Sequence, residues 1–439
     1  MIVTGRRLYL LLICAAALLG LTFLGLYLQR HDELDRFVIV ALTQAVIYLL
    51  SVGLVWNRDT SRPMLAVILA VAALLRLPVL CMPPYLSSDI YRYVWDGRVQ
   101  DAGINPYRYV PADPHLGQLR DPRIYPHINR SGYAPTIYPP VAEAIFLAVT
   151  RASQSLIAMK AAMVVFEAIT VGVLLRLLGS AGLPAGHVLV YAWHPLPIWE
   201  FAGSGHIDAA LIAFVVLALW ARKRDRGSLA GLALAGATLA KLYPAVLLPA
   251  LYRRREWRVP VAFSAAVILG YLPFIGAGRG VLGFLPGYVQ EEGFTASGQG
   301  FFLWNLLQTF PPLSGLPTLV YLIGAAAIFA ALAPVVAFTS GPRTDPLAGA
   351  ALLAAAFMFL LSPHYPWYFA WLIVFACFAP YWSLLWLTNA VFLLYLVQFG
   401  SPLVQEGYRL PIEAAIYVPF AVLAPVDIWR RRRSAVRSS

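Results

Sequence analysis

The segment RRLYLLLICAAALLGLTFLGLYL, residues 6–28, decides the fold. Two arginines precede an apolar run from Leu8 to Leu28. That length is close to the roughly 20 residues a helix needs to cross a bilayer core. The run is too long for the apolar core of a signal peptide, and no small-x-small cleavage site closes it. Cys14 follows Ile13 rather than a small residue, which argues against a lipoprotein signal. Residues 8–28 therefore read as a first transmembrane helix. Lipid offers the backbone no hydrogen-bond partner, so each spanning segment must be helical.

Comparable runs recur along the chain. They cover 8–28, 37–56, 63–80, 156–178, 187–201, 207–222, 228–240, 242–252, 258–275, 315–338, 346–361, 366–379, 381–398 and 410–429. The expected fold is all-α, a single integral membrane domain over 1–439 with about 12–14 spans. Composition agrees: 60% of residues are hydrophobic and only 12% charged, against about 25% in soluble chains. The net charge of +12 does not indicate nucleic acid. Its clusters, Arg6-Arg7, Arg222-Lys223-Arg224, Arg253-Arg254-Arg255 and Arg430 to Arg433, fall between apolar runs. A membrane protein with a positive cytoplasmic face distributes charge in this way. Three cysteines, two of them inside apolar runs, give no disulfide framework.

With Arg6-Arg7 cytoplasmic, alternation puts Asn57-Arg58, Arg222 to Arg226, Arg253 to Arg258, Arg343 and Arg430 to Arg433 inside, and both termini with them. Residues 228–252 carry basic flanks at both ends and Lys241-Leu242-Tyr243-Pro244 in the middle. A helical hairpin with Lys241 near its outer tip satisfies both flanks. Residues 81–155 become the first large extracytoplasmic loop and 276–300 the second. Residues 139–153 are too short and polar for a span and read as an interfacial helix. No internal repeat and no Walker or GxGxxG motif is visible.

Polar residues capable of chemistry gather on the outer side. Ser88, Asp89, Arg92 and Asp96 open the first loop, and on a helix Asp89, Arg92 and Asp96 share a face. A carboxylate beside an arginine at the membrane surface can act as a base while the cation binds an anion. The alternative is that Ser88 or Asp89 caps the helix and Asp96 is a surface charge. Tyr91, Tyr93 and Trp95 interleave with these polar residues. His206 and Asp208 lie in the turn Gly203-Ser204-Gly205-His206-Ile207-Asp208, where polar groups line cavities more often than they face lipid; a plain helix cap is the alternative. Lys241 needs water, an anion or a partner to sit in an apolar hairpin, unless it snorkels to the headgroups. His364 and Tyr365 break a helix between Pro363 and Pro366, within an aromatic belt. Tyr138-Pro139-Pro140 and Glu143 open the interfacial helix.

Taken together, these motifs resemble the GT-C superfamily of membrane glycosyltransferases, and within it the polyprenyl-phosphate-mannose-dependent mannosyltransferases. The resemblance rests on Ser88-Asp89 through Gly103-Ile104-Asn105-Pro106-Tyr107, on Tyr138-Pro139-Pro140, on the turn 203–208, on Leu239-Ala240-Lys241-Leu242-Tyr243-Pro244 and on Ser362 to Tyr368. It implies inverting transfer of a hexose, most simply mannose, from a polyprenyl-phosphate donor to a glycan or glycolipid acceptor at the cell membrane. Asp89 matches the superfamily's catalytic acid and would act as general base, with Tyr91, Tyr93 and Trp95 suited to stacking on a sugar ring. The substrate-binding residues it implies are Arg92, Asp96, Tyr138, His206, Asp208, Lys241, His364 and Tyr365. Arg92, His206, Lys241 and His364 are the available cations for the donor phosphate. No second acid adjoins Asp89, and no metal or other cofactor is assigned. Two rival readings remain: a transporter or flippase of lipid-linked saccharides, which calls for inverted repeats, and an O-antigen polymerase or ligase, whose main loop would come later in the chain.

Overall fold

The computed structural model describes residues 2–56, 58–294, 300–339 and 345–437. Asn57, Arg343 and residues 295–299 of the second loop lie outside the described residues. All secondary structure among the described residues is helical. The principal helices are α1 (Ile2–Arg30), α2 (Leu34–Val55), α3 (Arg62–Leu80), α4 (Asp89–Asp101), α5 (Pro140–Ala152), α6 (Leu156–Ser180) and α7 (Asp208–Lys223). They continue with α8 (Gly227–Ala240), α9 (Arg258–Tyr271), α10 (Leu285–Glu291), α11 (Thr318–Thr339), α12 (Pro346–Leu361), α13 (Trp382–Ala390) and α14 (Arg409–Arg437).

Among the described residues, seven helices are long and apolar enough to cross a membrane. They are α1, α2, α3, α6, α9 with its extension to Gly280, α11 and α14. The sequence reading expects about 12–14 spans; segments such as Gly227–Ala240, Pro346–Leu361 and Trp382–Gln398 form shorter apolar helices, and three others are broken at proline. The expected span 187–201 is interrupted at Trp193-His194, ahead of Pro195 and Pro197. Segment 242–252 is a 3₁₀ turn and one helical turn around Pro244 and Pro249. Segment 366–379 starts as a 3₁₀ stretch at Pro366. Proline lacks the donor that helix continuation requires.

Contacts divide the chain into two units. The first comprises Met1–Met82, Leu174–Trp199 and Met358–Ser439. At its centre runs the broken segment 185–199, fully or almost fully buried from Val188 onward. A broken helix exposes backbone groups that lipid cannot satisfy, and side chains of the spans around it supply the partners. Tyr48 donates to the Val190 carbonyl at 2.8 Å, and Arg76 donates to the Ala192 carbonyl at 2.8 Å. Trp193 donates through its indole to Ile68 of α3 at 2.8 Å, and Trp199 to Gln44 of α2 at 2.8 Å.

The second unit comprises Pro83–Val173 and Glu200–Phe357. In it α4 lies against α5, with Gly97 at the crossing: a Cβ there would meet the Phe146 carbonyl oxygen at 2.5 Å. Helices α7 and α8 run antiparallel, and Arg253 pairs with Asp225. Both ends of the 226–253 segment therefore meet at one end of the helix pair, and Lys241 turns at the other. The 16 residues of α7 separate the ends by about 24 Å at 1.5 Å per residue.

Replacing Arg76 by Met removes the donor that satisfies the Ala192 carbonyl. The expected loss is about 1–3 kcal/mol, the cost of an unsatisfied buried acceptor. It should appear as a lower thermal midpoint of the detergent-solubilised protein. An unchanged midpoint would show that this carbonyl does not need Arg76.

Candidate active site

Asp89 is the first residue of α4. Its backbone amide donates to the Ser87 hydroxyl at 3.2 Å, so the helix start is held by serine. The carboxylate does not cap the helix; its Oδ1 instead accepts from the Asn129 side-chain amide at 3.0 Å. The side chain is 23% exposed, sunk in the surface but open to a small molecule. Burial raises its carboxyl above the ordinary value, against the opposing charges of Lys241 and Arg130 and hydrogen bonds from Asn129 and Tyr138.

The turn 203–208 meets Asp89 through His206. Gly205 has φ +75, and a Cβ there would strike Ile90 Cδ1 at 2.5 Å. Only glycine gives both the left-handed turn and this approach to α4. The His206 ring is fully buried, with Nδ1 3.9 Å from Asp89 Oδ2 and Nε2 3.4 Å from Glu200 Oε2. Burial, reinforced by the charge of Lys241, drives its pKa well below the ordinary value. Burial and Lys241 thus favour the neutral imidazole, which lies between the carboxylates of Asp89 and Glu200.

Lys241 follows the last residue of α8 in an extended conformation. Its Nζ donates to both oxygens of Asp208, at 2.9 and 3.1 Å, and the Tyr243 hydroxyl donates to Oδ1 at 2.8 Å. Asp208 is buried, its side chain 1% exposed, whereas Lys241 is 15% exposed. Of the acids that open α4 and α7, Asp208 is already held by a cation. Asp89 has an amide as its direct partner and the greater exposure.

Behind the site lies a second charged cluster. Arg92 donates through Nε to both oxygens of Asp96, at 2.9 and 3.0 Å, and through a terminal nitrogen to the Ala134 carbonyl at 3.1 Å. Glu143 of α5 accepts from Thr136 at 2.6 Å and Gln100 at 2.7 Å. Arg92, Asp96 and Glu143 are all buried. Burial pushes the Glu143 carboxyl well up, and the charge of Asp96 adds to it. The sequence reading puts Arg92 beside the phosphate, but its contacts here tie it to Asp96 and to the chain that leads into α5. Tyr138 is buried; its carbonyl accepts from the Tyr107 hydroxyl at 2.6 Å, and its ring meets Tyr93 edge-on at 5.0 Å. Tyr93 and Trp95 are each 1% exposed. They fill the interior, Tyr93 stacking on Phe146 at 4.4 Å, and neither offers a face to a sugar. Tyr91 is only half-buried and lies against His127 at 4.7 Å.

His364 and Tyr365 belong to the first unit. They sit in the break after α12, where Tyr365 stacks on Trp367 at 4.7 Å. Two contributors escaped the sequence reading, Asn129 and Arg130. They lie in an irregular run between short 3₁₀ turns and α5, where no periodicity marks a side chain's direction. The polar Asn129-Arg130-Ser131-Gly132 was the only signal.

The geometry brings a partly accessible carboxylate, a buried histidine and the charges of Lys241 and Arg130 to one place. A carboxylate of raised pKa can take a proton from a hydroxyl, and nearby cations can stabilise a departing anion. No curated protein matches the chain. The family model described as alpha-(1->6)-mannopyranosyltransferase, N-terminal domain (MptA_B family), matches residues 15–253, more than half of the chain and nearly all of the site. The chain belongs to this family and is a multi-pass membrane mannosyltransferase.

Proposed function

We propose that the protein transfers mannose from a polyprenyl-phosphate donor to a hydroxyl of a glycan or glycolipid, on the extracytoplasmic side, with inversion. The family's name points to a 6-hydroxyl as acceptor and to an α-linked product. Asp89 is the general base. It removes the acceptor proton as the hydroxyl oxygen bonds to the anomeric carbon and the bond to the donor phosphate breaks. His206 orients Asp89. Lys241, held by Asp208 and Tyr243, faces the phosphate, whose charge increases as it leaves. Asp96 and Arg92 brace α4 against α5 from behind. Tyr138, which hydrogen-bonds Asp89, completes the set on this unit.

The observation that carries this reading is Asp89 itself, partly exposed and bonded to an amide while its neighbour Asp208 is neutralised by Lys241. The sidedness rests on the helix pair α7–α8. Arg222, Lys223, Arg224, Arg226, Arg253 and Arg255 collect at the end remote from Asp208 and Lys241. A basic end is retained in the cytoplasm, which directs the site outward.

The test uses purified protein in nanodiscs with synthetic polyprenyl-phosphate-mannose and an oligomannoside acceptor. Wild-type protein should transfer from this donor and not from a nucleotide-linked mannose. Asp89→Asn keeps the shape and should lower transfer by about 10²–10⁴-fold with normal folding. Asp96→Asn should mainly lower stability, because it breaks a buried pair, and should leave the rate per folded molecule within a few-fold. A reversed ranking of the two variants would transfer the catalytic role to Asp96.

Cys81 is exposed directly after α3, Cys377 is buried, and Cys14 is partly covered. An impermeant maleimide should therefore label Cys81 in intact cells. Labelling only after permeabilisation would place the site in the cytoplasm.

A further inference from the structure

Arg130 is held from two directions. Its backbone is left-handed, φ +55, a conformation that side chains with a Cβ rarely adopt. Its carbonyl accepts from the amides of Tyr133 and Ala134 at 3.2 and 3.0 Å, which locks the turn. Its Nε donates to Glu291 Oε2 at 2.7 Å, while the other oxygen of Glu291 accepts from the Tyr133 hydroxyl at 3.1 Å. The guanidinium lies 5.9 Å from the Tyr288 ring centroid.

Glu291 is the last residue of α10 in the second loop, and that loop is fastened to the first. The Phe284 amide donates to the Thr136 carbonyl at 3.0 Å, and the Phe284 ring meets Tyr133 edge-on at 5.6 Å. Asn105 donates to the Phe274 carbonyl at 3.1 Å, and Tyr107 meets the Phe274 ring at 5.1 Å. The Gly-x-Asn-Pro-Tyr motif thus docks the chain that carries Glu291. The next residue, Glu292, has its carboxyl pushed up to about 7 chiefly by burial, within the fields of Arg130 and Lys241. Glu291 thus pairs with Arg130, and Glu292 lies in the fields of both cations that act on Asp89.

A carboxylate bound by one guanidinium and one tyrosine hydroxyl presents two oxygens to those donors, as a phosphate does. The proposed donor is a phosphodiester with one negative charge. Its leaving group is a phosphate monoester, which approaches two charges near neutral pH. A cation at this position is worth more late in the reaction than early.

We propose that Arg130 is a ligand of the donor phosphate and that Glu291 competes with the phosphate for it. The proposal rests on the mannosyl-transfer reading above and names a further residue of the same site. Exchange of Glu291 for phosphate is non-covalent: the Arg130–carboxylate contact is lost and an Arg130–phosphate contact takes its place. The carboxylate also lowers the affinity of the pocket for the product monoester, which favours release.

The competition is read by binding, without turnover. Farnesyl phosphate is titrated into the detergent-solubilised full-length protein, with farnesol as control, and thermal stabilisation is followed. The difference between the two ligands isolates the phosphate. Arg130→Ala should weaken the phosphate-dependent part about tenfold or more, the scale of a lost charge-assisted contact. Arg130→Lys should weaken it less. Glu291→Gln keeps the size and removes the competing charge, so it should tighten farnesyl phosphate binding several-fold. Weakened binding in Glu291→Gln would show that the glutamate only braces Arg130 and would overturn the proposal. So would binding indifferent to both residues. Should Arg130→Ala fail to fold, the sign of the Glu291→Gln effect still decides. Normal mannosyl transfer with phosphate binding indifferent to Arg130 would defeat this proposal alone. Arg130-dependent phosphate binding without mannosyl transfer would defeat the transfer reading and leave this one standing.

Discussion

The pair between Lys241 and Asp208, 2.9 Å apart with the acid buried, joins the turn after Gly203 to the tip of α8. Neither charge tolerates an apolar setting alone, and each is acceptable there because of the other. The same constraint repeats through the second unit. Arg92 is matched by Asp96, Arg130 by Glu291, Arg222 by Glu256 and Arg253 by Asp225. Asp89, at the centre of the site, is instead hydrogen-bonded by the neutral side chains of Asn129 and Tyr138. The role of base proposed for it rests on where the cations are spent.

Distance from the basic end gives the site its place. Helices α7 and α8 span roughly 24 Å, with positive charge at one end and the Asp208–Lys241 pair at the other. A lipid-linked phosphosugar carries its reactive carbon at the level of the headgroups, and its phosphate needs positive charge in a region otherwise poor in it. In the proposed reaction Lys241 and Arg130 supply that charge without making the surface broadly basic, because each is paired with an acid. In the same proposal, partial neutralisation keeps the phosphate from binding so tightly that the product stays.

Much of this was legible in the residues, and the legible part has a common cause. Period and length of apolar runs placed α2, α3, α6 and α11 within a few residues of their observed ends, because lipid enforces helix wherever the chain is apolar. Asp89, His206, Asp208 and Lys241 stood out because a polar group beside such runs is costly. The segment 187–201 misled for the same reason: it is apolar throughout, yet Pro195 and Pro197 break it, and Tyr48 and Arg76 from other helices satisfy the freed carbonyls. Tyr93 and Trp95 looked like a sugar platform in one dimension and are interior in three. Arg92 shares a helical face with Asp89, but Asp96 one turn on claims it. Asn129 and Arg130 were not legible, since an irregular chain gives no rule for where its side chains aim.

The pH dependence of mannosyl transfer tests the account most directly. Asp89 must be ionised to accept the acceptor's proton, and burial raises its carboxyl above the ordinary range. Transfer from polyprenyl-phosphate-mannose should therefore rise with pH along an acid limb lying above about pH 4, the ordinary carboxylate value. Asp89→Asn should lose both the rate and that limb. A rate independent of pH, or the same limb persisting in Asp89→Asn, would contradict the assignment of Asp89 as the base.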